Sequence, residues 1–300
     1  MLKDRTSGAI ASAVFVYVFW GFTFMASAIA QKYGTPFILL AYRFLISTLI
    51  LSFPLFIGKK KLKFRGKSIR GLLLLGMMDP CLYFIGEQYG VKYTNSSFSG
   101  IMIAFVPIVT IFLAAVLLKE RPTKTQCFFS ILSISGIIVI TLSESSGGQV
   151  NFLGFLCLLL AVVTESGYTI VSRKISDQFS VYERTLATQL MAAVFYTALA
   201  LIEHRNDPSA LIEPIKNTDF LLAVLYLAVF ASVLGYSLIN YAVANAPTAR
   251  IVVLCNLTTV ISVLAGVFIL GEPFSISSAA GIIAVLIGIW GVQKFSVKEA

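Results

Sequence analysis

Runs of apolar residues, each long enough to cross a bilayer, follow one another along almost the whole chain. Hydropathy, and the Gly, Pro and charge clusters that interrupt it, divide the sequence into ten such segments. A transmembrane helix needs about 20 residues, so ten spans fit into this chain with short connections. We therefore predict an all-α membrane protein whose spans 1 to 10 have the approximate bounds 9–30, 36–57, 69–91, 96–118, 124–142, 151–171, 182–202, 218–240, 247–270 and 275–293.

The composition excludes a soluble globular protein. Hydrophobic residues make up 58% of the sequence and charged residues 12%, and the mean hydropathy is +0.89. A soluble core cannot bury that much apolar surface, so the lipid bilayer is the first predicted partner. The N-terminal residues lead into span 1 without an Ala-x-Ala-like cleavage site, and we expect span 1 to remain in the protein.

The positions of the basic residues indicate membrane topology rather than nucleic-acid binding. The formal net charge is +9, but Lys and Arg cluster beside alternate span ends. If the N-terminus is cytoplasmic, sixteen of the 23 basic residues lie on the cytoplasmic side, seven of them between Lys59 and Arg70. We predict that both termini are cytoplasmic and that no nucleic acid is bound. Arg184 and Arg250, near cytoplasmic span ends, are expected to snorkel to lipid headgroups.

The sequence contains an internal repeat. A shift of 152 residues aligns three segments without a gap, namely Tyr89-Gly-Val-Lys with Tyr241-Ala-Val-Ala, Leu118-Lys-Glu120 with Leu270-Gly-Glu272, and Gly136-Ile with Gly288-Ile. A shift of 146 residues aligns Gly21-Phe-Thr23 with Gly167-Tyr-Thr169. We interpret residues 1–145 and 146–300 as two copies of a five-span unit. Because five is odd, the second copy enters the membrane in the opposite direction, as in the inverted repeats of secondary transporters.

Several short motifs give the chain a resemblance to a known family. They are Trp20-Gly21 in span 1, Tyr42-Arg43-Phe44 in span 2, Tyr89-Gly-Val-Lys-Tyr-Thr94 after span 3, and Pro107 followed by Leu118-Lys-Glu120-Arg. In this combination the chain resembles the EamA-type transporters of the drug/metabolite transporter superfamily over essentially its full length. The second half departs from the family pattern, with Thr258-Thr259 ahead of Gly271-Glu272-Pro273.

The resemblance implies a ten-helix fold that exports small metabolites, often amino acids or related compounds, from a bacterial cytoplasm. It places the protein in the bacterial plasma (inner) membrane, with spans 1, 3, 4, 6, 8 and 9 around a midplane substrate site. Both a monomer and a homodimer are compatible with the sequence. A strip of small residues on span 10, Gly281, Ala284 and Gly288, suits either packing on span 5 or dimer formation.

Span 3 carries two acidic residues on one predicted helical face. Asp79, Tyr83 and Glu87 recur every four residues, and a charge near the bilayer centre costs roughly 2.5–3.5 kcal/mol, so this face is expected to look inward. Pro80 predicts a kink in the same helix. Glu87 has two interpretations, a structural ion pair with Arg43 of span 2 or a binding group for a substrate amine or a coupling proton. The same two interpretations apply to Asp79.

Further candidate substrate-binding residues lie in spans 1, 6, 8 and 9. Glu165 and Tyr168 share a face of span 6, and the aromatic positions of span 1 related to them by the repeat lie beside Trp20. Aromatic rings beside buried acids suit an amine or amphipathic substrate, although such a stripe is also typical of helix packing. Spans 8 and 9 contribute three neutral polar candidates: Tyr236, Asn240 and Asn256.

These features favour a secondary transporter that exports an amino acid or a related amphipathic compound by alternating access. Either the substrate gradient or proton exchange through Glu87, Asp79 or Glu165 would drive it, which makes protons a candidate partner. An exporter of drugs or organic cations is the near alternative, and a membrane enzyme is a distant one. We predict no catalytic residues, cofactor or metal, because the sequence lacks P-loop, His-x-x-x-His and Gly-x-Ser-x-Gly patterns and its four cysteines are scattered singly.

Overall fold

The computed structural model describes residues 2–60, 62, 67–106, 108–110, 112–113, 123–146, 151–246, 251, 253–272 and 274–295. Five helices of this part are long and apolar enough to cross a membrane by length and composition, and they are the cores of spans 1, 2, 6, 7 and 8. Shorter apolar helices lie in spans 4, 5, 9 and 10. The all-α fold class predicted from the sequence is confirmed.

Most of the observed helices follow the predicted spans within a few residues, but span 1 begins seven residues earlier than predicted, at Leu2. Their bounds are Leu2–Gly21 and Thr23–Ala30 for span 1, Pro36–Phe56 for span 2, Arg70–Gly76, Met77–Leu82 and Tyr83–Tyr93 for span 3, Ser96–Ile103 for the start of span 4, Lys124–Ser146 for span 5, Phe152–Lys174 for span 6, Val181–Glu203 for span 7, Thr218–Tyr226, Leu227–Gly235 and Tyr236–Asn245 for span 8, Val253–Cys255 and Asn256–Phe268 for span 9, and Ile276–Lys294 for span 10. The family motifs at Pro107 and 118–121, and Arg250, lie outside the described residues.

Polar side chains at the connections determine where several helices begin. The side chain of Thr35 accepts a hydrogen bond from the Ile38 amide at the start of span 2, and Asn95 accepts one from the Phe98 amide at the start of span 4. Ser180 and Glu183 form a capping box at the start of span 7. These caps satisfy amide groups that have no partner within the helix, so short polar turns suffice between apolar helices.

The most extensive helix contacts each join one span of the first half to one span of the second. Span 5 packs on span 10, span 2 on span 7, span 4 on span 9, span 3 on span 6 and span 1 on span 8. When each span is replaced by its counterpart in the other half, the same five pairs are obtained. The ten helices therefore form one intertwined bundle rather than two separate five-helix units.

The bundle has two ends, which we name by the segments they carry. The loop end carries the connection between spans 7 and 8, which runs from the end of Val181–Glu203 to the start of Thr218–Tyr226. The terminal end carries the start of span 1 and the end of span 10.

Spans 3 and 8 are interrupted at related places. Each contains a π-helical segment, Met77–Leu82 in span 3 and Leu227–Gly235 in span 8, and the backbone of Asp79 leaves the helical region with φ −142° and ψ 122°. This confirms the kink predicted at Pro80. Such segments leave carbonyl groups without a partner in their own helix, and neighbouring helices must supply donors inside a membrane.

Side chains from the opposite half of the chain supply donors to these carbonyl groups. The Tyr196 hydroxyl of span 7 donates to the carbonyl oxygens of Pro80, at 3.0 Å, and Cys81. The indole nitrogen of Trp20 in span 1 donates to the Ala231 carbonyl in span 8 at 3.1 Å. Each broken helix is thus held in place by a helix from the other half.

A carboxylate also joins the two halves at the loop end. Glu272, just after span 9, accepts hydrogen bonds from the amides of Ser96 and Ser97 at 2.8 and 2.9 Å, and from the Ser97 hydroxyl at 2.5 Å. These amides belong to the N-terminus of span 4, where a negative charge is favourable. The contact ties the end of span 9 to the start of span 4.

The small residues of span 10 pack on span 5. Gly281 and Gly288 lie against Gly136 and Ser133 so closely that a Cβ atom on Gly288 would stand 2.6 Å from the Ser133 side chain. Of the two uses expected for this strip, the structure therefore shows the intramolecular one.

Widening this helix contact is expected to destabilise the protein. A Cβ atom on Gly136 would stand 2.6 Å from the Gly281 carbonyl oxygen, so Gly136→Ala should lower the free energy of unfolding by about 1–3 kcal/mol. Thermal melting in detergent measures the effect. Gly8→Ala is the matched control, because its Cβ atom would meet only the Tyr241 hydroxyl at 3.6 Å. Equal melting temperatures for the two variants would contradict the close packing.

Candidate functional site

A cavity of about 50 Å³ lies among seven of the spans, namely 1, 2, 3, 4, 6, 8 and 9. The predicted lining helices 1, 3, 4, 6, 8 and 9 all contribute, and span 2 adds Arg43. The wall contains both aromatic and charged side chains. Its aromatic residues are Tyr17, Trp20, Phe24, Tyr83, Phe84 and Tyr236, and its charged residues are Arg43, Asp79, Glu87 and Glu165.

Asp79 and Glu165 form a pair of carboxyl groups in one wall of the cavity. The Tyr236 hydroxyl donates to both oxygens of Asp79 at 2.6 and 2.7 Å. Glu165 of span 6 lines the same cavity, so two carboxyl groups from different halves of the chain face one space.

Arg43 is the cation of the cavity wall, and only 1% of its surface is exposed. Its Nε donates to the Ser232 hydroxyl at 2.8 Å, and its guanidinium carbon lies 4.3 Å from the centre of the Phe84 ring. Its Nη1 has no hydrogen-bond partner. Among the described residues no direct ion pair links Arg43 to a carboxylate, so a structural ion pair between Glu87 and Arg43 is the wrong interpretation.

Glu87 instead belongs to a group that we name the loop-end cluster, formed by Ser27, Gln31, Glu87 and Gln88. The Gln88 side-chain amide donates to the Glu87 carboxylate at 2.7 Å and to the Ser27 hydroxyl at 3.1 Å. The Gln31 amide donates to the side-chain oxygen of Gln88 at 2.8 Å. Glu87 faces the cavity, and the other three residues connect it towards the loop end.

A second polar group, the terminal-end cluster, is formed by Tyr168, Ser172, Arg184, Thr185 and Asn240. The hydroxyls of Tyr168 and Ser172 donate to the Asn240 side-chain oxygen at 3.3 and 3.1 Å, and the Asn240 amide donates to Thr185 at 3.1 Å. Arg184 donates to the Ser172 hydroxyl at 2.7 Å and to the Asn240 carbonyl at 3.2 Å. It is 1% exposed, so the expectation that it snorkels to headgroups is wrong.

The predicted site residues thus divide into three groups. The cavity wall contains Trp20, Arg43, Asp79, Tyr83, Glu87, Glu165 and Tyr236. Tyr168 and Asn240 belong to the terminal-end cluster and do not line the cavity, although the Tyr168 ring contacts the Tyr236 ring at 6.0 Å. The side chain of Asn256 lies outside the described part of the chain.

Several residues of the wall carry no strong signal in the sequence. Ile103 and Val106 of span 4 are ordinary apolar residues, and Tyr17 and Phe24 belong to a run that is typical of packing. Cys255 and Thr258 of span 9 also line the cavity. Their small polar side chains match those that join membrane helices, and spacing alone does not separate the two uses.

A second cavity of about 350 Å³, which we name the vestibule, opens at the loop end. Two hydrogen bonds join the connection between spans 1 and 2 to the ends of the connection between spans 7 and 8. The Tyr33 hydroxyl donates to Asp219 at 3.1 Å, and the Thr35 hydroxyl donates to Glu203 at 2.6 Å. Polar and charged side chains dominate its wall, among them Gln31, Tyr33, Lys92, His204 and Glu213. Because Gln31 lines the vestibule and Glu87 lines the central cavity, the loop-end cluster lies between the two spaces.

Comparison with known proteins agrees with this architecture. The model of the EamA-like transporter family matches residues 7–142 and again residues 152–293. The uncharacterized transporter YcxC of Bacillus subtilis is 30% identical over 97% of this chain and 94% of its own length, and an uncharacterized transporter of Archaeoglobus fulgidus is 24% identical over 92% of this chain and 95% of its own.

A solved crystal structure with 18% sequence identity superimposes with a TM-score of 0.65 over 95% of this chain and 96% of that one, which supports the fold. The family resemblance inferred from the motifs is confirmed by the two matches to the family model. With nearly the whole sequence matched, the chain belongs to the EamA-like transporter family and is a multi-pass membrane transporter of ten helices in two inverted repeats.

Proposed function

We propose that this transporter exports an amino acid or a closely related zwitterion from the cytoplasm, in exchange for protons. The observation that carries the proposal is the Nη1 of Arg43, a buried cationic donor without a partner on a residue of the cavity wall. A buried donor that lacks a partner is unfavourable, and a substrate carboxylate would satisfy it with a charge-assisted hydrogen bond.

The same cavity offers acceptors for the other end of a zwitterion. Glu87 and the Asp79–Glu165 pair supply carboxylate oxygens for a substrate ammonium group. The rings of Tyr17, Trp20 and Tyr83 add cation–π and apolar contacts for the ammonium or for a side chain. A site with one cation and several acids distinguishes the two ends of an amino acid and is asymmetric.

A proton shared between the carboxyl groups of Asp79 and Glu165, which line the same cavity, would couple transport to a proton gradient. A substrate ammonium that approaches the pair would displace this proton, because a carboxylate without the proton binds the new positive charge more strongly. Rebinding of a proton would in turn release the ammonium group. We propose this competition as the coupling step.

We also propose that the protein lies in a bacterial plasma membrane with both termini in the cytoplasm. The bias of basic residues toward the terminal end supports this orientation. The loop end and its vestibule would then face the exterior. Because one chain encloses the cavity, we propose that a monomer transports.

An exporter of organic cations is the second candidate. Three acids against one Arg, together with six aromatic rings, favour cationic substrates without a carboxylate. In this case Arg43 would serve only to hold Ser232 in place.

Counterflow in proteoliposomes separates the two candidates. Purified protein is reconstituted with an unlabelled compound inside, and uptake of labelled amino acids, nucleosides and organic cations is compared. We expect exchange of an amino acid and weaker exchange of the amine that lacks its carboxyl group. Exchange of amines alone would favour the cation exporter, and lipid- or peptide-modifying activity without vesicles would contradict a transport function.

A further inference from the structure

Two buried carboxamides occupy repeat-related positions on opposite sides of the cavity. The shift of 152 residues places Gln88 of span 3 on Asn240 of span 8, and the exposed fraction of both residues is 0%. Gln88 follows the wall residue Glu87 on the loop-end side. Asn240 lies one helical turn beyond the wall residue Tyr236 on the terminal-end side. The cavity therefore lies between the two carboxamides along the axis of the bundle.

The partners of the two carboxamides are related as well. Gln88 donates to Ser27 of span 1, and Asn240 accepts from Ser172 of span 6, both at 3.1 Å. Ser27 precedes the N-cap residue of the next span, Thr35, by eight residues, and Ser172 precedes Ser180 by the same number. The two halves thus build the same contact, a hydroxyl of one span on a carboxamide of another, at opposite ends of the cavity.

The clusters differ in what lies beyond this shared contact. At the loop end, Gln88 is also bonded to Glu87, a carboxylate of the cavity wall, and to Gln31 of the vestibule wall. At the terminal end, Asn240 is bonded to Arg184, which does not line the cavity. A ligand that binds to Glu87 can therefore directly change the hydrogen bonds of the loop-end cluster.

We infer that Gln88 and Asn240 are the gating residues of the transport path, one at each end of the cavity. In the structure the hydrogen bonds of both clusters are formed, one cluster on each side of the cavity. During transport one cluster opens while the other stays bonded, which is what alternating access requires. This inference rests on the proposed function, to which it adds the residues that separate the site from each side.

The chemistry of the clusters suits repeated opening and closing. A hydrogen bond of a neutral amide contributes little net stability, since water replaces it once the cluster opens. Opening at the loop end would break bonds of Gln88 with span 1, and opening at the terminal end would break bonds of Asn240 with spans 6 and 7. Glu87 couples the first of these events to the substrate, because an ammonium group bound to Glu87 competes with the Gln88 amide for the same carboxylate.

The native thiol of Cys255 in the cavity wall allows a direct test. Cys81, Cys127 and Cys157 are replaced by Ala, so that Cys255 is the reporter thiol. A membrane-impermeant, positively charged methanethiosulfonate reagent is added to right-side-out and to inside-out vesicles. The labelling rate of Cys255 then measures access to the cavity from each face.

We expect Gln88→Ala to raise the labelling rate from the loop-end face by about tenfold or more, and Asn240→Ala to do so from the terminal-end face, because the loss of hydrogen bonds of ordinary strength shifts a two-state equilibrium by that order. Asn245→Ala is the matched control, since among the described residues the Asn245 amide donates to Tyr241 of its own helix alone. It should leave both rates unchanged. Glu87→Gln is expected to raise labelling from the loop-end face alone.

Variants that fail to fold are replaced by milder ones, and detergent melting curves check folding in each case. Gln31→Leu tests the loop end and Thr185→Val the terminal end, each removing one bond of its cluster. Unchanged labelling in all four gating variants, or increases from the same face, would overturn the inference. Because labelling needs no transported substrate, failure to find a substrate would count against the proposed function and not against the gates.

Discussion

Arg43→Gln is expected to lower the export rate of an amino acid by about 100-fold or more, because it removes the cation proposed to hold the substrate carboxylate. The matching amine, which has no carboxylate, should be transported at least as well as by the unchanged protein. Arg43→Lys should restore little, because a lysine ammonium cannot keep the bond to Ser232 and also present the second donor of a planar guanidinium. Counterflow of each amino acid and amine pair measures the change in selectivity.

Lys174→Gln serves as the control for the loss of a positive charge. Lys174 is exposed at the end of span 6, away from the cavity wall, so its replacement should leave both rates unchanged. If Arg43→Gln exported the amino acid at the original rate, the carboxylate role would be wrong and the organic-cation exporter would be favoured.

Asp79→Asn and Glu165→Gln are each expected to reduce uptake driven by a pH gradient by at least about tenfold, because each removes one of the two carboxyl groups proposed to share the coupling proton. Counterflow without a gradient should persist. The double variant should be no worse than either single variant, since residues that act as a unit give non-additive losses. Uptake with and without an imposed pH gradient separates coupling from binding.

Tyr236→Phe is the matched control for the acid pair. It removes the hydroxyl that donates to Asp79 but keeps both carboxyl groups, so proton-driven uptake should fall only modestly. If Asp79→Asn, Glu165→Gln and Glu87→Gln all worked unchanged across a pH gradient, proton coupling through these acids would be wrong.

The spans and part of the cavity wall could be predicted because both depend on local patterns. Run length and charge located the helices, and a four-residue spacing on span 3 correctly grouped Asp79, Tyr83 and Glu87. The kink followed from Pro80. Each of these inferences uses residues within one helix, where periodicity is informative.

Contacts between spans were not predictable in the same way. The pairing of Asp79 with Glu165 depends on span 3 packing against span 6, which no local spacing encodes. Arg184 near a span end looks like a residue that reaches headgroups, yet its partners on spans 6 and 8 bury it. Gln88 carries no signal in the sequence, because it lies off the face shared by Asp79, Tyr83 and Glu87 and its role depends on Ser27 and Gln31 of span 1.

Each of the two interrupted helices is hydrogen-bonded by a helix of the other half, and this affects the order in which the spans can pack. Chains enter the membrane from the N-terminus, so Trp20 is already present when span 8 brings in the Ala231 carbonyl. The carbonyls of Pro80 and Cys81 must wait for Tyr196, more than a hundred residues later in synthesis. An unpaired carbonyl in lipid costs several kcal/mol, so span 3 completes its packing only after span 7 has been inserted. The first five spans are synthesised before the second five, and their packing is therefore completed only when residues of the second half are present.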